Sequence, residues 1–214
     1  MIVHKCEQYG AEYWELKRGK PSCSDFHRIV TPKKWEFAAG AETYCHELIG
    51  QEYDHDYGMT EGYVSAAMKN GILMEPESRR YYEMQRDCEV KRVGLVISDC
   101  GRFAYSPDSL VGDDGALELK NPTPAEHIKW LLAGVIPPEH LAQCHGALLV
   151  AKLAWIDFMS YCPMLPPLLV RLVPDEKTVA LAEALEKFWA MLAEMRQKIT
   201  PYIPRTGKSQ ESYF

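Results

Sequence analysis

The sequence lacks any long apolar run, and this absence bears on where the protein works. No stretch approaches the roughly 18 consecutive apolar residues of a membrane-spanning helix. The first residues, MIVHKCEQYG, also lack the apolar stretch of a secretion signal. These absences predict a soluble intracellular protein. Internal repeats and low-complexity tracts are missing too, so we interpret the 214 residues, 47% of them apolar, as one domain.

Paired cysteines are also absent. The chain has seven cysteines but no CxxC pair, and an odd number fits free thiols better than a disulfide framework. We therefore predict neither a zinc site nor structural disulfides.

An excess of positive charge, typical of proteins that coat nucleic acid, is lacking as well. The formal net charge is −6, which argues against a general nucleic-acid coat. The segment 17–34 departs from this average, because it holds six lysines and arginines against Asp25 alone and is therefore net +5. A locally basic surface on an otherwise acidic protein is compatible with the net charge of −6 and with the +5 of segment 17–34.

The first part of the chain has helical patterns. We predict helices over 39–57 and 61–87, the second with a break between Gly71 and Pro76. Residues 1–88 should therefore be mostly helical.

From Glu89 onward the pattern changes to strands. Three neighbouring antiparallel strands are predicted in EVKRVGLVIS, RFAYSPDSLVG and GALELK, the last two joined by an Asp-Gly turn. Two helices opened by proline follow, in TPAEHIKWLLAG and PPEHLAQCHGALLVAKL, and then two strands, AWIDFMSYC and PLLVRLVP. This order predicts an α/β or α+β layered fold whose central mixed sheet is flanked by helices.

A long helix is predicted over 175–199, and a tail follows Thr200. The apolar residues of this helix recur in steps of four and three, which is more typical of core packing than of a coiled-coil seam. We therefore divide the chain into a helical part (1–88), a core (89–174) and a C-terminal helix with its tail (175–214).

The triplet Glu118-Leu119-Lys120 is one of four carboxylate-x-lysine triplets in the chain, so alone it carries little weight. On a strand, Glu118 and Lys120 would share one face while Leu119 enters the opposite layer. This copy differs from the others because Asp108 lies ten residues earlier, across the predicted hairpin, where pairing can bring its carboxylate close to Glu118. Alternatively, Asp108 is an ordinary turn residue after Pro107.

These residues together fit metal-assisted phosphodiester hydrolysis. The carboxylates of Asp108 and Glu118, with the backbone carbonyl of Leu119, supply the hard oxygen ligands that Mg²⁺ prefers. Bound Mg²⁺ lowers the pKa of a water and offsets charge on phosphate oxygens, and Mn²⁺ can substitute for it. Lys120 is the candidate base that orients or deprotonates this water.

The segment SPDSLVGDDGALELKNP resembles the core of the PD-(D/E)xK nucleases, which have a restriction-endonuclease-like fold. Its flanks resemble the lambda-type phage exonucleases, also called the YqaJ-like viral recombinase family, from about Trp14 to Pro174. The chain departs from the family pattern where Ser109 replaces a usual glycine, where Asn121 replaces a usual cysteine, and where Cys144-His145 follows Gln143 in place of a further glutamine. None of these departures removes a metal ligand.

The resemblance implies a pocket for a 5′ phosphate in YWELKRGKPSCSDFHRI. Ser22 and Ser24 at a helix start, with a neighbouring cation, would bind an anion through hydroxyls, backbone N–H groups and charge. Either Lys17 or Arg18 can be that cation: spacing favours Lys17 and residue type favours Arg18.

The resemblance also assigns two residues outside the strand motif. Glu75, in GILMEPESRRYYE, would join the metal ligands, although Glu75-Pro76 also reads as an ordinary helix start. Gln143, in PPEHLAQCHGALLV, would contact the water or the scissile phosphate, although it also fits the polar face of an amphipathic helix.

The function implied by the resemblance is a Mg²⁺-dependent exonuclease that degrades linear double-stranded DNA from a 5′-phosphorylated end and leaves a 3′ overhang. Similar proteins form a ring-shaped homotrimer around DNA and work with a single-strand annealing protein, so we expect a phage or prophage protein in the bacterial cytoplasm. Two alternatives remain: a PD-(D/E)xK endonuclease of repair or restriction, and a non-catalytic module that binds DNA ends.

Overall fold

The computed structural model describes residues 1–58 and 66–203, so the predicted helical residues 61–65 and the tail beyond residue 203 lie outside the described residues. In chain order the described elements are β1 (Ile2–His4), α1 (Ala11–Lys17), a 3₁₀ helix (Cys23–Arg28), α2 (Ala41–Tyr53), α3 (Ala66–Arg86), β2 (Val90–Lys91), β3 (Leu95–Ile97), β4 (Ala104–Tyr105), β5 (Ser109–Val111), β6 (Gly115–Lys120), α4 (Pro124–Ala133), α5 (Pro138–Val150), β7 (Trp155–Ser160), β8 (Leu168–Leu172), α6 (Glu176–Ile199) and a 3₁₀ turn (Thr200–Tyr202).

The main sheet has five strands in the order β2-β5-β6-β7-β8. Strands β6 and β7 run parallel, with Gly115 opposite Trp155 and Lys120 opposite Ser160, while the other neighbours are antiparallel. A parallel pair needs a long crossover, which α4 and α5 provide. The predicted layered fold with a central mixed sheet is confirmed.

Helices cover both faces of this sheet. On one face the core combines residues of α2, α5 and α6 with sheet residues such as Ile156 and Phe158. On the other face Tyr82 of α3 packs with Leu117, Leu119 and Met159. Each fully buried apolar side chain of this size contributes about 1.5–3 kcal/mol relative to exposure. Strand β6 is therefore enclosed on both sides, which fixes the orientation of Glu118 and Lys120.

The helix ends in the second half of the chain follow from local sequence. Thr123 caps α4 by accepting a hydrogen bond from the Glu126 N–H, with Pro124 in the first turn. Asp175 and Thr178 form a reciprocal capping box at the start of α6. The α6 stripe is core packing, as the sequence favours, since Leu181, Leu185, Phe188 and Leu192 are buried.

The prediction of three consecutive antiparallel strands is wrong in part. The segment EVKRVGLVIS divides into β2 and β3, and RFAYSPDSLVG divides into β4 and β5; the strands β3 and β4 join β1 in a separate three-stranded sheet. Gly94 lies so close to the Cys6 carbonyl that a Cβ there would stand 2.1 Å from it, and its N–H donates to the His4 carbonyl. Pro107 has no N–H with which to continue the ladder. The short strand β1 lies in the part predicted to be mostly helical, whose other described elements are α1, the 3₁₀ helix, α2 and α3.

The predicted break near Gly71 to Pro76 is also wrong, because α3 continues through Pro76. A proline inside a helix removes one backbone hydrogen bond, usually at a cost of about 3 kcal/mol. Here the Ser78 hydroxyl donates to the carbonyls of Met74 and Glu75, both at 3.1 Å, and Tyr82 anchors the following turns against the sheet. Tertiary packing outweighs the local penalty.

A buried ion network fixes the far end of α3 to the sheet. Asp157 of β7 is fully buried and accepts hydrogen bonds from the Tyr82 hydroxyl (2.9 Å) and the Arg171 guanidinium (2.7 and 2.9 Å). Arg86, the last residue of α3, lies 3.3 Å from the same carboxylate. Because a buried carboxylate without partners is costly, this network holds α3 in one position. Glu75 lies on the same helix.

All seven cysteines are free thiols, as the sequence predicts. Cys100 alone among them is exposed; burial raises the pKa of its thiol, but hydrogen bonds with Ser98 and Arg102 outweigh this and leave the pKa below the usual value. In the described ranges 1–58 and 66–203, none of the helices has the length and apolar character to cross a bilayer.

Candidate active site

The hairpin of β5 and β6 brings the two predicted carboxylates together. Ser109 pairs with Leu117, so Asp108, just before β5, lies across from the end of β6. Its Oδ2 accepts a hydrogen bond of 2.6 Å from the backbone N–H of Leu119. Asp108 therefore has a definite role in the pairing of the strands, which a solvent-exposed turn residue would not have.

Glu118 is the most constrained group of the site. It is only 1% exposed, and its Oε1 accepts hydrogen bonds from the Lys120 ammonium (2.5 Å) and from the Gln143 amide (2.6 Å). Its other oxygen, Oε2, is buried and has no hydrogen-bond partner among the described residues. Strand β6 supplies Glu118 and Lys120, and α5 supplies Gln143, so this cluster joins two layers of the fold.

The carboxyl groups of Asp108 and Glu118 lie near each other and near the Lys120 ammonium, and this affects the pKa values of the site. Burial and the neighbouring Glu118 raise the pKa of Asp108 to about 8, although Lys120 and the Leu119 N–H act in the opposite direction. Burial lowers the pKa of Lys120, but Glu118 and Asp108 outweigh burial and raise it above its ordinary value. At neutral pH without a bound cation, Lys120 is therefore an ammonium group rather than a free base.

Asp108→Asn should stabilise the protein when divalent ions are removed. The pKa of this carboxyl is raised on folding, so its contribution to stability is favourable below about pH 3.8 and is lost as the pH rises toward 8. An amide keeps an acceptor for the Leu119 N–H and carries no charge. We expect a gain of the order of 1–3 kcal/mol in the free energy of unfolding at pH 8.

The measurement is urea unfolding in EDTA at pH 5 and pH 8. The matched control is Asp113→Asn, an exposed aspartate in the adjacent turn, which should change stability little at either pH. The expectation fails if Asp108→Asn and the wild type unfold at the same urea concentration at pH 8.

Glu75, on α3, lines the same cavity. It is held by Arg79, a residue that the sequence analysis did not assign to the site. Arg79, 8% exposed, donates to Glu75 Oε2 (3.2 Å), to the Asp108 carbonyl (3.3 Å) and to the Ser109 hydroxyl (3.0 Å). The Ser109 hydroxyl in turn donates to the Asp108 carbonyl. Arg79 thus links α3 to the backbone of Asp108. Its spacing of four residues from Glu75 on one helix was the available signal.

The donor set fits a hard divalent cation. Glu118 offers a buried carboxylate oxygen with no hydrogen-bond partner among the described residues, and Asp108 offers a half-buried carboxylate. The raised pKa of Asp108 marks negative charge that a cation would offset. Leu119 lines the same cavity. Among the described residues, no three His, Cys, Asp or Glu side chains form a metal-binding cluster by themselves. Backbone oxygen, water and phosphate oxygen would have to complete the coordination.

The predicted phosphate-binding residues divide into two groups. Lys17, Ser22 and Ser24 line the cavity that holds the carboxylates, whereas Arg18 does not. Arg18 instead donates to the carbonyls of Gln51 (2.8 Å) and Asp54 (2.6 Å) at the end of α2.

The hydroxyls of Ser22 and Ser24, predicted to bind an anion, have contacts within the protein. Each hydroxyl lies within hydrogen-bond distance of Asp25 Oδ2, at 3.1 Å for Ser22 and 3.2 Å for Ser24, and the two hydroxyl oxygens lie 2.9 Å apart. The Ser22 N–H donates to the Tyr44 hydroxyl. An anion would therefore compete with Asp25 for these hydroxyls. The ammonium of Lys17 donates to the Tyr13 hydroxyl (3.3 Å), which shares a hydrogen bond of 2.8 Å with Ser106.

The cavity has a volume of about 660 Å³, within the range of small-molecule sites. Aromatic residues that the sequence analysis did not assign to the site line it: Tyr9, Tyr13, Tyr105, Trp130 and His140. Burial and the nearby Lys120 lower the pKa of His140 to about 4, so its imidazole is neutral at physiological pH. The cavity is thus lined by acidic side chains, of which Glu118 is buried, and by aromatic side chains.

The chain resembles known proteins in sequence and in fold. The model of the YqaJ-like viral recombinase domain matches residues 12–154. An alkaline exonuclease from Laribacter hongkongensis has a similar structure, with a TM-score of 0.72, 28% identity, and coverage of 91% of this chain and 100% of that chain. The same enzyme in complex with dAMP matches at 27% identity with the same TM-score and coverage.

A phage-related exonuclease from Haemophilus somnus 129PT shares the fold, with a TM-score of 0.64, 12% identity, and coverage of 84% of this chain and 96% of that chain. No curated protein matches the chain. The family match covers both strands of the carboxylate hairpin and the helix of Gln143. The chain therefore belongs to the family of YqaJ-like viral recombinase domains.

Proposed function

We propose that this protein is a divalent-metal-dependent exonuclease that degrades linear double-stranded DNA in the 5′-to-3′ direction from a 5′-phosphorylated end and leaves a 3′ single-stranded overhang. Mg²⁺ is the proposed ion, and Mn²⁺ can replace it. The observation that carries the proposal is the buried Glu118, bound by Lys120 and Gln143 beside Asp108, in one cavity with Lys17.

The proposed metal ligands are Asp108, Glu118, the Leu119 carbonyl and Glu75. A bound divalent ion would supply an activated water and would offset charge on the scissile phosphate. Asp108 contributes a carboxylate fixed by the Leu119 N–H, and Glu118 contributes the oxygen for which the described part of the chain supplies no hydrogen-bond partner. The chain thus presents two oriented oxygen donors whose mutual repulsion favours a cation between them.

Lys120 and Gln143 both donate to Glu118 Oε1 and are the residues proposed to act on the reacting groups. As an ammonium, Lys120 holds Glu118 in place and stabilises negative charge that develops on the phosphate. A role as base requires that Lys120 first lose its proton, because Glu118 and Asp108 raise its pKa. Gln143 donates to Glu118 and can also contact the water or the phosphate.

Lys17, Ser22 and Ser24 are the proposed binding site for the terminal 5′ phosphate. Their position in the same cavity as the carboxylates supports this, since an end-dependent enzyme must hold the terminus close to the scissile bond. Arg18 is not proposed as a phosphate ligand, because its guanidinium is bound by the carbonyls of Gln51 and Asp54.

The family resemblance extends the proposal beyond the single chain. We propose a ring-shaped homotrimer through which the duplex passes, and cooperation with a single-strand annealing protein in phage-type recombination in the bacterial cytoplasm. A ring with basic residues toward its channel would reconcile DNA binding with the net charge of −6. The complex of the Laribacter hongkongensis alkaline exonuclease with dAMP supports a nucleotide-sized product site.

The test is digestion of three DNA substrates with Mg²⁺ by the wild-type protein. They are a linear duplex with 5′ phosphates, the same duplex with 5′ hydroxyls, and a covalently closed circle. We expect rapid digestion of the first, slower digestion of the second and none of the third. Equal cutting of the circle would indicate an endonuclease, and no cutting of any substrate with Mg²⁺ or Mn²⁺ would indicate a DNA-end-binding module.

A further inference from the structure

The turn before α1 has an unusual backbone at Tyr9. The N–H of Gly10 donates to the Glu7 carbonyl (3.1 Å), which closes a four-residue turn, and Tyr9 in its third position has a φ of +67°. This is the position of a type II turn at which glycine is favoured. A non-glycine residue there costs of the order of 1 kcal/mol, and the cost persists only where the surroundings hold it.

Hydrogen bonds of Gln8 and Tyr13, most of them to the residues just before Asp108, hold this turn. The Gln8 amide donates to the carbonyls of Pro107 (2.9 Å) and Val93 (3.3 Å). Pro107 directly precedes Asp108. The hydroxyl of Tyr13, one helical turn beyond Tyr9, shares a hydrogen bond of 2.8 Å with Ser106. The turn is therefore fixed relative to the carboxylates rather than free to move with α1.

The strained residue presents a large aromatic ring to the cavity. Tyr9 is 62% exposed and lines the same cavity as Asp108 and Glu118. Its ring centroid lies 5.4 Å from that of Tyr13 and 6.0 Å from that of Trp14, so neighbouring rings support it. A ring this exposed contributes little to the core, and its position instead suits a flat ligand.

We propose that Tyr9 is a stacking platform for a nucleobase of the DNA strand whose phosphate lies at Asp108 and Glu118. This inference rests on the proposed function. Every base has an apolar face, so stacking on an aromatic ring binds DNA without regard to sequence and contributes about 1–3 kcal/mol per base. Stacking at Tyr9 would hold a base of the terminal nucleotides while the carboxylates engage the backbone.

The experiment measures base stacking without turnover. The wild type, Tyr9→Phe and Tyr9→Gly are titrated, with Ca²⁺ in place of Mg²⁺, into 5′-phosphorylated duplexes that carry 2-aminopurine at one of the first three positions from the 5′ end. The wild type and Tyr9→Phe should quench the fluorescence at one of these positions. Tyr9→Gly should abolish this quenching and weaken binding about 10-fold, as expected from the loss of one stacked base.

Two controls make the result specific. Tyr202→Ala removes an aromatic that is 83% exposed elsewhere and should change neither the affinity nor the quenching. Tyr9→Gly should unfold close to the temperature of the wild type, because the relief of strain at the positive φ offsets the loss of the ring contacts with Tyr13 and Trp14. A loss of binding by this variant then reports on the ring rather than on folding.

An abasic site provides the decisive comparison. Removal of the base at the quenched position should weaken binding by the wild type, and should have no further effect on Tyr9→Gly. Additive losses, or wild-type affinity of Tyr9→Gly, would overturn the stacking role. Digestion of the linear duplex by the wild type tests the proposed function separately: if it fails, both proposals fall, whereas digestion together with unchanged Tyr9→Gly behaviour overturns only the stacking role.

Discussion

Lys120→Met should lower the rate of hydrolysis of 5′-phosphorylated linear duplex by about a thousandfold or more. The ammonium of Lys120 is bound to the buried Glu118, and both roles proposed for it act on the chemical step. Loss of one preorganised charge of this kind costs about 10²–10³ in rate, and loss of a general base or acid about 10²–10⁴. The measurement is single-turnover digestion at saturating protein, which isolates chemistry from binding.

The chain offers a matched control for this substitution. Lys91 ends another carboxylate-x-lysine triplet, Glu89-Val90-Lys91, and is exposed on the edge strand β2. Lys91→Met makes the same chemical change and should leave the rate within about twofold, because an exposed substitution away from a special contact changes little. A comparable loss of rate in both variants would contradict the active-site assignment of Glu118-Leu119-Lys120.

Folding must be verified for Lys120→Met. Its side chain is 25% exposed, so solvent screens part of the interaction with Glu118, yet the variant leaves a buried carboxylate with one charged partner fewer. We expect a lower midpoint of thermal unfolding and an unchanged circular dichroism spectrum at 25 °C. Binding of duplex DNA in Ca²⁺ should persist, which separates loss of chemistry from loss of structure.

Lys17→Ala should remove the preference for a 5′ phosphate. A charge-assisted hydrogen bond to a phosphate contributes about 1.5–3 kcal/mol, which corresponds to roughly 10- to 150-fold in the ratio of kcat/KM between phosphorylated and hydroxylated ends. We expect the variant to lose most of this ratio and to digest the hydroxylated duplex at nearly the wild-type rate. The measurement is kcat/KM for both ends of the same sequence.

Arg18→Ala is the neighbouring control with the same loss of charge. Arg18 binds the carbonyls of Gln51 and Asp54 at the end of α2, so its removal should lower stability and leave the phosphate preference intact. The opposite pattern, with the preference lost in Arg18→Ala and kept in Lys17→Ala, would assign the phosphate to Arg18. The two residues that spacing and residue type could not separate are thus separated by one pair of measurements.

The parts of the site that the sequence predicts are those set by local pattern. Alternation in GALELK and the turn signal before it are enough to place Asp108, Glu118 and Lys120 on one hairpin, although the turn is formed by residues 112–114 and Gly115 already pairs with Val111. Their shared face follows from the period of two along a strand. The sequence also predicts the starts of α4 and α6, because the proline and capping residues that define them lie within a few positions of each helix start.

The parts that the sequence does not predict depend on contacts between distant segments. The hydrogen bonds of Arg79 to Ser109 and of Gln8 to Pro107 join segments 30 and 99 residues apart, which no local period encodes. The continuation of α3 through Pro76 likewise depends on packing against the sheet. The division of EVKRVGLVIS between two sheets accompanies the close approach of Gly94 to Cys6, which is visible only in three dimensions.

The exposure of Cys100 gives the protein a natural attachment point for a reporter. The other six thiols are buried or half-buried, and hydrogen bonds hold the pKa of Cys100 below that of an ordinary cysteine, despite some burial. A maleimide dye would therefore react there first. Because Cys100 is not among the residues lining the cavity, a dye-labelled protein could be followed on single DNA molecules without substitution of any cysteine.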